Sequence, residues 1–313
     1  MKRIVLLLLG CMLLLVQKYL IPLSTNSQFI VFLVGIVLLG VPHGAADLLV
    51  ANRSADASKK TFSSVKFLSI YISRLFLFAA VFWFFPVFGN LLFILFAAYH
   101  FGETDLNQFK TNTLLGKLFV ISYGLVILSV ILLHHFEELK PVFQLFKSGK
   151  ENEIFINLID QNKFIIMNIC CVSFFITTFL YFIKNNNLKT NEKGIFLIHF
   201  SVILFILFNL PLLLGFTFYF VVWHSVLSMN NIFIYLRKDN TFTFNTIAKQ
   251  ILLYSIIAIA GIGIFGLTGF MFVSNNAIVG YLFLGLAVLT APHMQIMHDM
   301  YNNLRTSKTA LVS

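Results

Sequence analysis

The sequence predicts an all-α integral membrane bundle of about ten spans (eight to ten), one domain over residues 1–313, with both termini cytoplasmic. Composition is the first observation behind this. The 313 residues are 59% hydrophobic and only 11% charged, with 38 Phe and a mean hydropathy of +0.90, whereas a soluble domain carries about 25% charged residues. Segmentation is the second: the apolar residues fall in runs long enough to cross a hydrocarbon core of about 30 Å. The third is the lack of an outer-membrane strand's alternating pattern. Only helices and closed barrels satisfy every backbone amide in lipid, so the runs read as helices.

The first run covers 4–21. Lys2-Arg3 followed by Ile4–Val16 resembles a signal peptide, but Gln17-Lys18-Tyr19 comes next in place of a small-residue cleavage site, so it reads as a retained span. Further spans are expected at 28–50, 67–85, 90–108, 118–135, 163–183, 194–210, 213–236, 250–273 and 277–302. The longest connection, 136–162, mixes Glu137-Glu138, Phe143, Leu145-Phe146 and Ile154-Phe155-Ile156, a pattern that suits an extracytoplasmic amphipathic helix in the interface. The loops 51–60 and 185–193 are polar.

Ten spans put both termini on one side. Most of the 22 Lys and Arg residues fall there too, including Lys2, Arg3, Arg53, Lys59, Lys60, Lys110, Lys189, Arg237 and Arg305. Loops rich in Lys and Arg stay cytoplasmic, so the chain is expected to be a multi-pass protein of the cell inner membrane. The same rule accounts for the net charge of +10 without nucleic acid. Cys11, Cys170 and Cys171 lie in apolar runs without CxxC spacing, which supports neither a disulfide framework nor a thiolate metal site.

Five histidines sit inside apolar runs: His43, His100, His224, His293 and His298. An ionisable side chain is costly in hydrocarbon, so an intramembrane histidine marks a functional site by default. His43, His100, His224 and His293 fall on the second, fourth, eighth and tenth spans, which all run toward the cytoplasm. At about 1.5 Å per residue they share a layer roughly 10–18 Å from the inner boundary. Imidazoles at one level on parallel helices are what a bundle-core metal site requires. His298 is five residues past His293, about 140° further round the helix, so the two do not easily face one metal. His134 and His135 belong at the outer interface, and His199 stands alone on the seventh span.

Carboxylates accompany the histidines. Asp47 is four residues past His43, and Glu103 and Asp105 follow His100. So placed, they could accept the second imidazole N–H and leave the other nitrogen free for metal. Capping or snorkelling explains them equally well. Pro42 and Pro292 each precede a histidine and remove a helix hydrogen bond, a break tolerated beside a cavity. Tyr99, Tyr219 and Trp223 lie next to the histidines and could line a substrate path; they serve equally well as packing. All-imidazole ligation suits iron, copper, zinc or nickel. A buried apolar setting favours a redox metal acting with dioxygen on a lipid-soluble substrate.

Four segments carry a resemblance: Pro42-His43-Gly44-Ala45-Ala46-Asp47, His100-Phe101-Gly102-Glu103-Thr104-Asp105, Trp223-His224-Ser225 and Ala291-Pro292-His293-Met294. Together they resemble the Brp/Blh family of bacterial and archaeal membrane β-carotene 15,15′-dioxygenases. The resemblance implies cleavage of the central double bond of β-carotene with O2 at an Fe(2+) centre, giving two all-trans-retinal. That retinal would serve a microbial rhodopsin. By position, His43, His100 and His224 match the family's iron-ligating histidines. A second histidine expected four residues after His224 is replaced by Ser228, a poor ligand for ferrous iron. Either His293 completes the site or three protein ligands do, and matched depth favours His293. Ser228 and His298 then stand behind the metal ligands. The competing functions are an intramembrane His/Asp transporter and a non-catalytic retinoid-binding relative. A desaturase would need HxxxH and HxxHH boxes, which the sequence lacks.

Overall fold

The computed structural model describes residues 2–144, 149–185, 188–238, 243–272 and 278–310, with side chains at 142–152, 264–284 and 306–310 left aside. Every element is a helix, and no strand occurs among the described residues. In order they are α1 (Lys2–Leu20), α2 (Thr25–Ala57), α3 (Ser64–Phe84), α4 (Pro86–Asp105), α5 (Leu114–Leu133) and α6 (Phe136–Gln144). Then come α7 (Gly149–Lys184), α8 (Thr190–Asn209), α9 (Leu212–Leu236), α10 (Phe244–Phe272) and α11 (Ile278–Ala310). Among the described residues, 9 helices are long and apolar enough to cross a membrane. The tenth expected span falls on α11.

Helix limits follow local chemistry. The Ser24, Ser63 and Thr113 side chains accept from the backbone N–H three residues on and cap α2, α3 and α5. Pro86 opens α4, where a missing N–H costs nothing. The connection 136–162 is helical on both sides of 145–148, which lie outside the described residues. Phe136 and Leu139 of α6 are buried against the bundle. From Gly149 onward the chain belongs to the same helix as the following span.

Large apolar side chains on α1, α3, α7 and α10, such as Leu8, Phe76, Phe164 and Ile256, face outward, as a lipid-solvated surface requires. Of the candidate spans among the described residues, α5 and α9 are the most enclosed. At the α4–α5 seam the backbones nearly touch: a Cβ on Gly102 would lie 2.0 Å from the Val120 carbonyl oxygen, and one on Gly124 would lie 1.9 Å from that of Ala98. Only glycine permits this approach. Buried apolar residues form a large cluster that includes Phe101, Trp223 and Leu227, and a smaller one that includes Ala46, Ile232 and Met297. His100 and His224 are flanked in sequence by members of the larger cluster, and His43 and His293 lie within four residues of members of the smaller one.

Candidate metal centre

Four imidazoles meet between α2, α4, α9 and α11. His43, His100 and His224 each offer one nitrogen, and these atoms all lie within 4.8 Å of one another. Nε2 of His293 sits 2.8 Å from Nε2 of His43, and its ring centroid is 5.2 Å from that of His100. The His100 and His224 centroids are 4.7 Å apart. None of the four residues is more than 7% exposed.

The backbone aims each ring. Ahead of His43, α2 widens to a π-helical turn over Ile36–Gly40, and the Val41 N–H donates to the Ile36 carbonyl. Pro42 follows directly, and the wider turn accommodates a ring that would clash with the carbonyl four residues back in an α-helix. Another π-helical stretch, Thr217–His224, delivers His224, and the Ser225 hydroxyl donates to the Phe220 carbonyl at 2.9 Å. His100 lies between Ala98 and Gly102, at the closest approach of α4 to α5. His293 follows Pro292 within α11.

The donor set fits a metal ion. His293 Nδ1–H donates to Asp47 Oδ1 at 2.7 Å, so its Nε2 presents a lone pair to the centre. Nδ1 of His43, both ring nitrogens of His100 and Nδ1 of His224 are buried without a hydrogen-bond partner. Each such orphan costs about 1–3 kcal/mol and demands a reason; a cation held by imidazole lone pairs supplies one for a single nitrogen of each ring. All-nitrogen ligation suits iron, copper, zinc or nickel.

Residues 34–301, which include all four histidines, match the family described as Beta-carotene 15,15'-dioxygenase. The chain belongs to this β-carotene 15,15′-dioxygenase family. A Beta-carotene 15,15'-dioxygenase from uncultured marine bacterium 66A03 is 24% identical over 268 residues, covering 85% of this chain and 91% of that one. No solved structure matches the chain.

In this family member the carboxylates serve partners other than those their sequence spacing suggests. Asp47 meets His293 instead of His43. The helix breaks at Ala46 (φ −72°, ψ −10°), so the rule that residues four apart share a face fails there. Its other oxygen, Oδ2, accepts from the Tyr71 hydroxyl at 3.1 Å. Glu103 turns away from His100: Oε1 accepts from His298 Nδ1 at 3.0 Å and from Arg305 Nη2 at 2.6 Å. His298 Nε2 lies 2.9 Å from Asn302 Nδ2, which places His298 outside the four-imidazole group.

Asp105 gathers three donors on one oxygen. The Tyr123 hydroxyl, the Trp223 indole and the Tyr219 hydroxyl approach Oδ2 at 2.7, 2.9 and 3.0 Å. The polar atoms of Tyr219 and Trp223 are thus committed to Asp105, while Tyr99 lies against His298, with ring centroids 5.7 Å apart. Ser228 is fully buried, and its hydroxyl faces that of Tyr301 at 3.5 Å. His134 stacks on Phe208, and His135 Nε2–H donates to the Leu207 carbonyl. Tyr71, Tyr123 and Arg305 are participants that sequence reasoning misses. Each of the two tyrosines lies in an apolar run that also carries serines, so its hydroxyl gives no separate signal.

Proposed function

We propose that this chain cleaves the central 15,15′ double bond of β-carotene with O2 at a histidine-ligated Fe(2+) inside the inner membrane. The products are two molecules of all-trans-retinal. One observation carries the reading: in a chain of this family, His43, His100, His224 and His293 converge as a buried all-imidazole group in which four ring nitrogens are buried without partners. The balance closes without a further reductant, since one C40 polyene and one O2 give two C20 aldehydes.

His43, His100, His224 and His293 would hold the iron, which when bound supplies the activation of dioxygen for attack on an alkene. The protein's own contribution is placement and exclusion. Asp47 takes the Nδ1–H of His293 and keeps the Nε2 lone pair turned inward, while Tyr71 holds the second carboxylate oxygen. Such outer partners orient imidazole ligands and raise their basicity. Phe101 and Phe220 flank His224 at centroid distances of 4.8 and 6.1 Å, an apolar border suited to a polyene. Burial keeps bulk water from the reacting bond. β-Carotene resides among lipid tails, so it would enter laterally between helices, and the retinal formed would be available to a microbial rhodopsin in the same membrane.

The test is expression in β-carotene-accumulating cells with iron supplied, followed by extraction. Loss of orange colour with appearance of retinal supports the reading. Retained colour with the protein confirmed in the inner-membrane fraction overturns it, and leaves retinoid binding or transport in its place.

A further inference from the structure

We propose that Asp105 is a positioning residue for the metal centre: its carboxylate cross-braces α4 to α9 and fixes the aim of His224. The inference rests on the iron-site reading above and adds a residue that touches neither metal nor substrate.

Asp105 closes α4, five residues after His100, and is fully buried. Two of the three donors on its Oδ2, Tyr219 and Trp223, lie on the π-helical stretch Thr217–His224 that ends at His224. The third donor, Tyr123, comes from α5. One oxygen therefore ties together the helix bearing His100, the segment bearing His224 and the α5 wall behind them. At the same residue, the Arg3 guanidinium donates to the Asp105 backbone carbonyl, which brings α1 to this corner.

A buried carboxylate is expensive: its desolvation costs several kcal/mol, and well-packed apolar residues usually stabilise a core as well or better. Retention of such a group is explained when it specifies one arrangement. A π-helical stretch supplies the need, because its wider turns give up regular α-helical hydrogen bonding and side-chain ties have to select its register. Trp223 adjoins His224 in the chain, so an indole N–H anchored on Asp105 leaves the imidazole little freedom to rotate away from His100.

The experiment compares Asp105→Asn, Tyr219→Phe and Tyr123→Phe in detergent-solubilised full-length protein, reading Co(II) affinity from ligand-field absorption beside the apparent Tm. Both tyrosine variants remove one hydroxyl from the same carboxylate oxygen. They differ in whether that hydroxyl sits on the segment carrying His224. A purely structural role moves the Tm of both and singles out neither in Co(II) affinity. Positioning predicts a Co(II) Kd raised about tenfold or more by Asp105→Asn. It also predicts a rise of at least threefold for Tyr219→Phe and less than twofold for Tyr123→Phe. Equal effects of the two tyrosine variants on Co(II) affinity overturn the proposal. So does a Kd for Tyr219→Phe within twofold of wild type, an outcome that stays readable if Asp105→Asn does not fold. A wild-type protein that binds no Co(II) sinks the metal-site reading itself, whereas wild-type binding that is indifferent to Tyr219→Phe sinks only the role of Asp105.

Discussion

His293 donates its Nδ1–H to Asp47 Oδ1 at 2.7 Å, across 246 residues of chain. The bond joins α11 to α2 and fixes which nitrogen of His293 faces the other three imidazoles. Losing the partner of a metal-binding histidine typically costs about 10–100-fold in metal affinity or activity. Asp47→Asn is therefore expected to lower retinal yield and iron content by about tenfold or more while the protein still reaches the membrane. Tyr71→Phe removes a single donor from the other carboxylate oxygen and should cost about 1 kcal/mol, with most of the iron retained. Metal analysis of purified protein beside retinal quantification separates the two.

The two C-terminal intramembrane histidines should part company when replaced. His293→Ala is expected to abolish bleaching and strip iron, because it removes an imidazole from the central group. His298→Ala should keep iron, since that ring faces Glu103 and Asn302. His199→Ala is expected to be nearly silent. Iron-to-protein ratios for the three variants check the assignment, and full iron and activity in His293→Ala would remove it from the ligand set.

Removal of the metal should loosen the bundle. A ligand that binds only the folded state stabilises it by about 2.7 kcal/mol at a hundred times its Kd. Chelation of the purified protein should thus lower its apparent Tm by about 5 °C or more, with recovery on adding Fe(II) under anaerobic conditions. In a His43→Ala, His100→Ala double variant the chelator should make no difference. A wild-type melting curve indifferent to chelator would contradict the model of a stabilising bound ion.

Gly102 and Gly124 should tolerate no side chain. A Cβ at either position would lie far inside van der Waals contact with carbonyl oxygen, at 2.0 and 1.9 Å, so α4 and α5 would have to separate. Overpacking costs about 1–3 kcal/mol, and here the obstacle is backbone. Gly102→Ala and Gly124→Ala are expected to reduce both thermal stability and iron content, since His100 sits on the displaced stretch of α4. Gly194→Ala, with nothing within 4 Å of the added atom, is the matched control.

The spans were legible because lipid imposes an apolar length on each helix, and that length is written in consecutive residues. The connection 136–162 was harder, because a helix that leaves the membrane and continues, as α7 does from Gly149, trades apolar side chains for polar ones without any backbone change. Depth also brought His43, His100, His224 and His293 to one level, since level depends only on counting along each helix. Rotation and partner choice do not. Asp47 and Glu103 are near His43 and His100 in sequence, yet they serve His293 and His298, because those contacts depend on how separate helices are turned toward one another. The tyrosines at 71 and 123 gave no sign at all, as a phenol in an apolar run reads as packing until its hydroxyl is seen to have a carboxylate.

The π-helical turns have a consequence for how this chain accepts insertions and deletions. A π turn holds more residues than an α turn, a local surplus that standard α geometry would shed. Deleting one residue from Ile36–Gly40 would let α2 relax to regular α-helix with its length nearly kept. The flanking segments would also keep nearly the same phase, because the π turn fits its extra residue into about the same rotation, whereas the same deletion in a regular α stretch would swing one side about 100° relative to the other. What the shortened helix would lose is the wide turn ahead of Pro42, so the proline ring would meet the carbonyl four residues back.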